Sequence, residues 1–212
     1  MHGDGRLPRP WLAALLVVSS AAWADAGTPD AGTGEPFVRR TRELMHTRVA
    51  IALPWSMDAA AREAAFAEAF AVFEAIEVRL NEWRPDSPLS RVNAGAGGKP
   101  VEAPADVCDV VSLALEGARK TGGLFDPTWA ALKEVWRLGS DETGEAPSDE
   151  ALAKVCPLVN WKAVELKPLT KPTAERACTI RPARLGMRLG LGGVVKGWGV
   201  DQVVKRLRST SS

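Results

Sequence analysis

The residues of this 212-residue chain whose types and spacing could do chemistry lie together at residues 188–201, RLGLGGVVKGWGVD. Gly190, Gly192 and Gly193 permit close backbone approach that a side chain would block, so amides at the start of a following helix can face an anionic ligand. Lys196 adds a cation within the first turns of that helix. A phosphate-bearing ligand is the natural occupant. The pattern is not a dinucleotide fingerprint, because Val195 stands where G-x-G-x-x-G needs its last glycine. Nor is it a P-loop, since Val195 precedes Lys196 and Gly197 follows it. A tight strand-to-helix turn that binds nothing competes with the anion reading.

Other chemistries are largely excluded. Cys108, Cys156 and Cys178 match no zinc spacing, and His46 is the only histidine after residue 24, so histidine triads and histidine metal sites have no residues to build them. Three cysteines allow at most one internal disulfide, and their spacing selects no pair.

The elements that must position the glycine turn follow from periodicity. Leu185, Met187, Leu189 and Leu191 alternate as in a strand, and Val200, Val203, Val204 and Leu207 form one helical face beyond the turn. Upstream, Val49, Ile51 and Leu53 predict a strand ending at Pro54. Phe66, Ala69, Phe70, Phe73, Ile76 and Leu80 predict a helix over about residues 58–80, capped by Ser56 or Asp58, whose phenylalanines belong to a core. The segment NEWRPDSPLSRVN, punctuated by Pro85 and Pro88, reads as an ordered loop. A second helix starts at Pro104 and Asp106, turns Val107, Val110, Val111, Ala114 and Ala118 inward, and closes at Gly122 and Gly123. A short helix over 129–136 would bury Trp129, Leu132 and Trp136, and Ser148 would cap another carrying Leu152 and Val155. Residues 139–147 read as an acidic flexible stretch. Val164 with Leu166, and Cys178 with Ile180, predict two strands before the one leading into the turn.

Residues 1–24 read as a signal peptide, with Arg6 and Arg9 before the apolar run 11–18 and Ala22-Trp23-Ala24 as the cleavage site. That implies export to the periplasm; an uncleaved segment would instead anchor the protein at the inner membrane. Residues 25–40 read as a flexible tether and 41–212 as the domain. Without the leader the net charge of +1 becomes 0, which argues against nucleic acid as a partner.

Four segments in this order resemble the FAD:protein FMN transferases, the ApbE-type flavin transferases. They are Met45-His46-Thr47 before the strand VAIAL, NEWRPDSPLSRVN, TGGLFDPTWAALKEVW, and LGLGGVVKGWGVD. The resemblance spans residues 45–201 and implies an α+β fold, a mixed or antiparallel sheet with packed helices. It implies an enzyme that cuts the FAD pyrophosphate with magnesium, attaches FMN to a threonine of an acceptor electron-transfer flavoprotein, and releases AMP. In that scheme Met45 contacts the flavin, and Trp83, where the family carries tyrosine, either stacks on a ring of FAD or serves as a loop tryptophan. Leu124, Phe125 and Asp126 match the FAD-contacting loop, with an N-capping role competing at Asp126. Lys196 is the catalytic cation beside the pyrophosphate, and the Gly193 carbonyl is the implied magnesium ligand. Asp201 is structural.

This sequence departs from the family pattern at several positions. Gly190 occupies an FAD-contacting position where relatives carry aspartate, His46 replaces a glycine, and Ala130-Ala131 replace Gly-Pro. The family also continues past the glycine turn with aspartate and threonine magnesium ligands. The chain is therefore expected to be the N-terminal portion of the fold, its C-terminal part missing.

Overall fold

The computed structural model describes residues 16–19, 36–136 and 146–210. In chain order the elements are β1 (Leu16–Ser19), β2 (Phe37–Leu44), β3 (Thr47–Pro54), α1 (Ala59–Arg79), α2 (Pro88–Ala94), β4 (Val101–Ala103), α3 (Ala105–Lys120), α4 (Asp149–Val155), β5 (Val164–Pro168), β6 (Cys178–Pro182) and α5 (Gly192–Thr210). The α+β class holds: two antiparallel sheets, ordered β1-β3-β2 and β4-β6-β5, accompany the helices. The chain forms two compact units, residues 1–75 with 199–212, and residues 76–198.

In the first unit, β3 carries Val49, Ile51 and Leu53 into a core completed by Phe66, Ala69, Phe70 and Phe73 of α1 and Val203 of α5. The phenylalanine stripe is therefore core, as its spacing predicts. Asp58 accepts a hydrogen bond from the Ala61 amide at 2.9 Å, so it is the helix cap. β2 starts at Phe37, four residues inside the segment read as a tether. β1 lies within the segment read as a signal peptide, and the rest of both segments, up to residue 35, is outside the described residues.

β2 and β3 form a hairpin closed by the Leu44–Thr47 pair, leaving a two-residue loop of Met45 and His46. Both have positive φ, 52° and 54°, the conformation of a type I′ turn that favours asparagine and glycine. A non-glycine residue held there costs about 1–2 kcal/mol. Exchanging the exposed His46 for glycine is thus expected to stabilise the protein by about 1 kcal/mol, seen as a melting temperature about 2–4 °C higher.

In the second unit, α3 buries Val107, Val110, Val111, Ala114 and Ala118 completely, and α2 and α3 pack on β6. Cys108 of α3 and Cys178 of β6 form a disulfide across a separation of 70 residues, and Cys156 is free and exposed. The Arg79 guanidinium bonds Asp106 through Nε and Nη2 at 2.5 and 3.1 Å, tying the end of α1 to the start of α3. That hydrogen bond raises the arginine's already high pKa.

Three sequence expectations fail here. The stretch read as a loop after Trp83 contains α2, because Pro88 sits at the first helical turn, where its missing amide costs nothing, and the Ser87 hydroxyl caps Ser90 N at 3.0 Å. The helix expected over 129–136 is a 3-10 turn over Ala130–Glu134 that buries Ala130 and Ala131, while Trp136 is exposed. The strand expected over 185–191 is not a ladder strand: Met187, Leu189 and Leu191 are buried, but Leu185 is exposed and among the described residues the segment makes one isolated bridge, Trp129 with Arg188. The acidic stretch lies mostly outside the described residues.

Candidate functional site

Within residues 76–198, two of the other three motifs converge on the glycine turn. The first contact comes from Asn93 of α2, whose side-chain amide clips Leu189 as a strand neighbour would. Its Nδ2 donates to Leu189 O at 3.0 Å and its Oδ1 accepts from Leu189 N at 2.8 Å. The missing strand pairing is therefore supplied by one side chain, which fixes the backbone immediately before Gly190.

The second contact comes from the FDPT segment. Gly190 N donates to Pro127 O at 2.8 Å, and the Trp129 indole donates to Gly190 O at 3.2 Å. A Cβ on Gly190 would lie 2.9 Å from both Ala130 Cβ and Trp129 Nε1. Trp129 thus fills the space that a side chain at position 190 needs. Gly190→Asp alone is expected to destabilise by about 1–3 kcal/mol through overpacking. Adding Trp129→Val should recover part of that loss, checked by urea denaturation of both variants.

The Phe125 ring lies between two glycines. It is 3.2 Å from the position a Cβ would take on Gly193, and 3.4 Å from that of Gly117 on α3. Its backbone is set by Thr121, whose hydroxyl accepts from Phe125 N at 3.1 Å after the helix has ended on Gly122 and Gly123, both with positive φ. Leu124 beside it is 96% exposed.

Asp126 is occupied by the fold. Its Oδ1 accepts from Thr128 N at 2.8 Å and from the Thr128 hydroxyl at 2.6 Å, and its Oδ2 accepts from Trp161 N at 3.0 Å. Thr128, fully buried, in turn accepts from Asn160 N at 2.7 Å. These bonds make Asp126 an organiser of the loop.

The turn itself is poised toward an anion. Leu191 O takes the amides of Val194 and Val195, both at 2.9 Å. The exposed amides of Gly192 and Gly193 have no acceptor among the described residues. Lys196, half-buried one turn on, has no ion pair or hydrogen bond among them either. Two amides at a helix N-terminus and an uncompensated ammonium form an electropositive corner suited to phosphate.

Met45 belongs to the other unit, half-buried against the β3–α1 core at the tip of its hairpin. Trp83 is 61% exposed. Gly193 lies in the first turn of α5, and no group of three or more His, Cys, Asp or Glu side chains that could hold a metal occurs among the described residues. The sequence reading passed over Asn93 and Trp129 as site-builders. Asn93 was recoverable, being the polar end of a motif; Trp129 was not, because its partner is 61 residues away.

A family model described as the ApbE family matches residues 45–211. The FAD:protein FMN transferase of Treponema pallidum (strain Nichols) is 32% identical over 149 residues, which cover 70% of this chain and 40% of that protein. That of Haemophilus influenzae is 26% identical over 144 residues, 67% of this chain and 40% of that one. Among solved structures, the apo flavinyl transferase ApbE of Pseudomonas stutzeri superposes with a TM-score of 0.69 at 22% identity, covering 82% of this chain and 52% of that one. The flavin transferase ApbE of Vibrio cholerae gives 0.66 at 24%, covering 82% and 53%. The structural likeness establishes the fold, and the chain spans about 40% of the length of these curated relatives. With a family match that runs from the Met45 hairpin through the glycine turn and along α5, the chain belongs to the ApbE family.

Proposed function

We propose that this protein acts on FAD as an FAD:protein FMN transferase, placing the FAD pyrophosphate at the N-terminus of α5. The observation that carries this is the pair of exposed amides at Gly192 and Gly193 beside Lys196, none of which has a partner among the described residues. The chemistry is phosphoryl transfer from FAD to a threonine hydroxyl of an acceptor flavoprotein: the acceptor oxygen bonds the FMN phosphorus, the pyrophosphate bond breaks, and AMP leaves. Catalysis of that kind rests on positioning and charge neutralisation. In this chain Asn93, Pro127 and Trp129 hold the turn still, the two amides orient the phosphates, and Lys196 neutralises charge.

Magnesium belongs to the family reaction, and the described residues hold no group of three or more carboxylate, histidine or cysteine side chains for it. A second reading, an exported flavin-binding protein without transferase chemistry, rests on Gly190, whose side-chain space is taken by Trp129 and Ala130. Export itself is part of the proposal: the leader-like N-terminus and the Cys108–Cys178 disulfide both fit an oxidising compartment such as the periplasm, and an uncleaved leader would hold the protein at the inner membrane.

Incubation of the purified protein with FAD and magnesium separates the readings. AMP release supports the transferase, saturable flavin quenching without AMP supports the binding protein, and no response to FAD refutes both. Lys196→Met is expected to weaken FAD binding by about 10- to 100-fold, on the scale of one charge-assisted contact, while leaving the melting temperature unchanged.

A further inference from the structure

Lys133, in the 3-10 turn over Ala130–Glu134, occupies an unusual position. Its ammonium lies 3.9 Å from the ring centroid of Trp83 and 4.8 Å from that of Trp129, so it contacts two indoles at once. Glu82 Oε1 closes the arrangement at 2.7 Å. Both charged side chains are nearly withdrawn from water, at 13% and 12% exposure. A lysine and a glutamate are rarely this buried without a specific reason, because each loses hydration that only a well-placed partner returns.

The two indoles it joins have different surroundings. Trp129 is fixed by its hydrogen bond to Gly190 O and packs where a side chain at 190 would stand. Trp83 is 61% exposed even with the ammonium on its ring, a large aromatic surface kept at the protein's edge. Exposed tryptophan that is held in place rather than free to rotate is a preset surface for stacking. The chain holds Trp83 from two sides: Asn81 Oδ1 accepts from its backbone amide at 2.8 Å, and Lys133 sits on its ring.

Resting on the flavin reading above, we propose that Lys133 is a positioning residue: clasped between Trp83 and Trp129 and neutralised by Glu82, it presents Trp83 as a stacking face for a planar aromatic ring of FAD. The clasp also links that face to the glycine turn, since its other indole is bonded to Gly190. The ring and phosphate portions of one ligand would then be read by two parts of a single rigid assembly. Glu82 and Lys133 are 51 residues apart, so nothing in the local sequence announces the pair.

The test uses the full chain with Lys133→Met, Lys133→Arg and Glu82→Gln, FAD as the probe, and the indole N–H resonances of Trp83 and Trp129 as a flavin-independent readout. Lys133→Met is expected to move both indole resonances and weaken FAD binding about tenfold, the scale of a desolvated cation–π contact. Lys133→Arg should restore most of the affinity, and Glu82→Gln should fall between. In a Trp83→Ala background, Lys133→Met should have no further effect on FAD affinity, because its action runs through that ring. Unmoved indole resonances, or an unchanged FAD affinity in a protein that binds FAD, would overturn the proposal, as would additive effects in the double variant. If the wild-type protein gives no saturable response to FAD, the flavin reading and the ring-binding role fall together. The indole resonances then still decide whether Lys133 positions Trp83. A loss of affinity accompanied by a matching loss of thermal stability in all three variants would mean a purely structural ion pair.

Discussion

Replacing Cys108 and Cys178 together by alanine is expected to lower the unfolding free energy by about 4 kcal/mol, the loop-closure value for a crosslink spanning 70 residues. The bond joins α3 to β6, and Cys178 sits opposite Ala103 of β4 in the sheet register. Breaking it frees the denatured chain from a constraint that encloses α3 beyond its first turn, the FDPT loop, α4 and β5. Cys178 is 2% and Cys108 8% exposed, so the alanine pair also leaves a small void in a packed region. Urea unfolding in a Cys156→Ser background, which removes the exposed thiol that could exchange into the bond, gives the clean comparison. Reduced wild type, which keeps both sulfurs, should show most of this loss but fall short of the double alanine variant by the cost of the void. A loss below about 1 kcal/mol in both would show that the crosslink constrains little beyond what packing already fixes.

Asp126→Ala is expected to cost about 3 kcal/mol of stability, lowering the melting temperature by roughly 10 °C. The carboxylate accepts three hydrogen bonds, from Thr128 N, the Thr128 hydroxyl and Trp161 N. Thr128 is fully buried, so its orphaned donors gain no water in return. The loss would also loosen the segment that carries Phe125, Pro127 and Trp129 to the glycine turn. FAD affinity should therefore fall along with stability. Asp126→Asn keeps one acceptor oxygen and should recover part of the loss. Should Asp126→Ala weaken FAD binding with an unchanged melting temperature, the acid would be a ligand group and not the loop's organiser.

Much of this fold was legible because its signals are local. The α1 stripe from Phe66 to Leu80, the inward face of α3 and the alternation in β3 each follow from a periodicity that repeats within one element. The four motifs likewise identified the family, since they are contiguous runs. The failures arose where a residue type carries opposite meanings in different contexts. Pro88 read as a breaker but starts α2, and the alternation of Met187, Leu189 and Leu191 read as a strand but records burial alone. Nor was β2 read as a strand. Its exposed Thr41, Arg42 and Glu43 lack clean alternation, and its register comes from pairing with β3.

By itself the sequence determined the long helices, the α+β class, the family and the glycine turn that opens α5, all from neighbours within a few residues of one another. Only the tertiary structure decided which cysteines pair, that Asp126 serves the loop, that Asn93 stands in for a strand, and that Trp129 claims the space beside Gly190. Each of those depends on side chains far apart in the chain arriving within a few ångströms. No one-dimensional pattern encodes that proximity, because it is set by how whole elements pack.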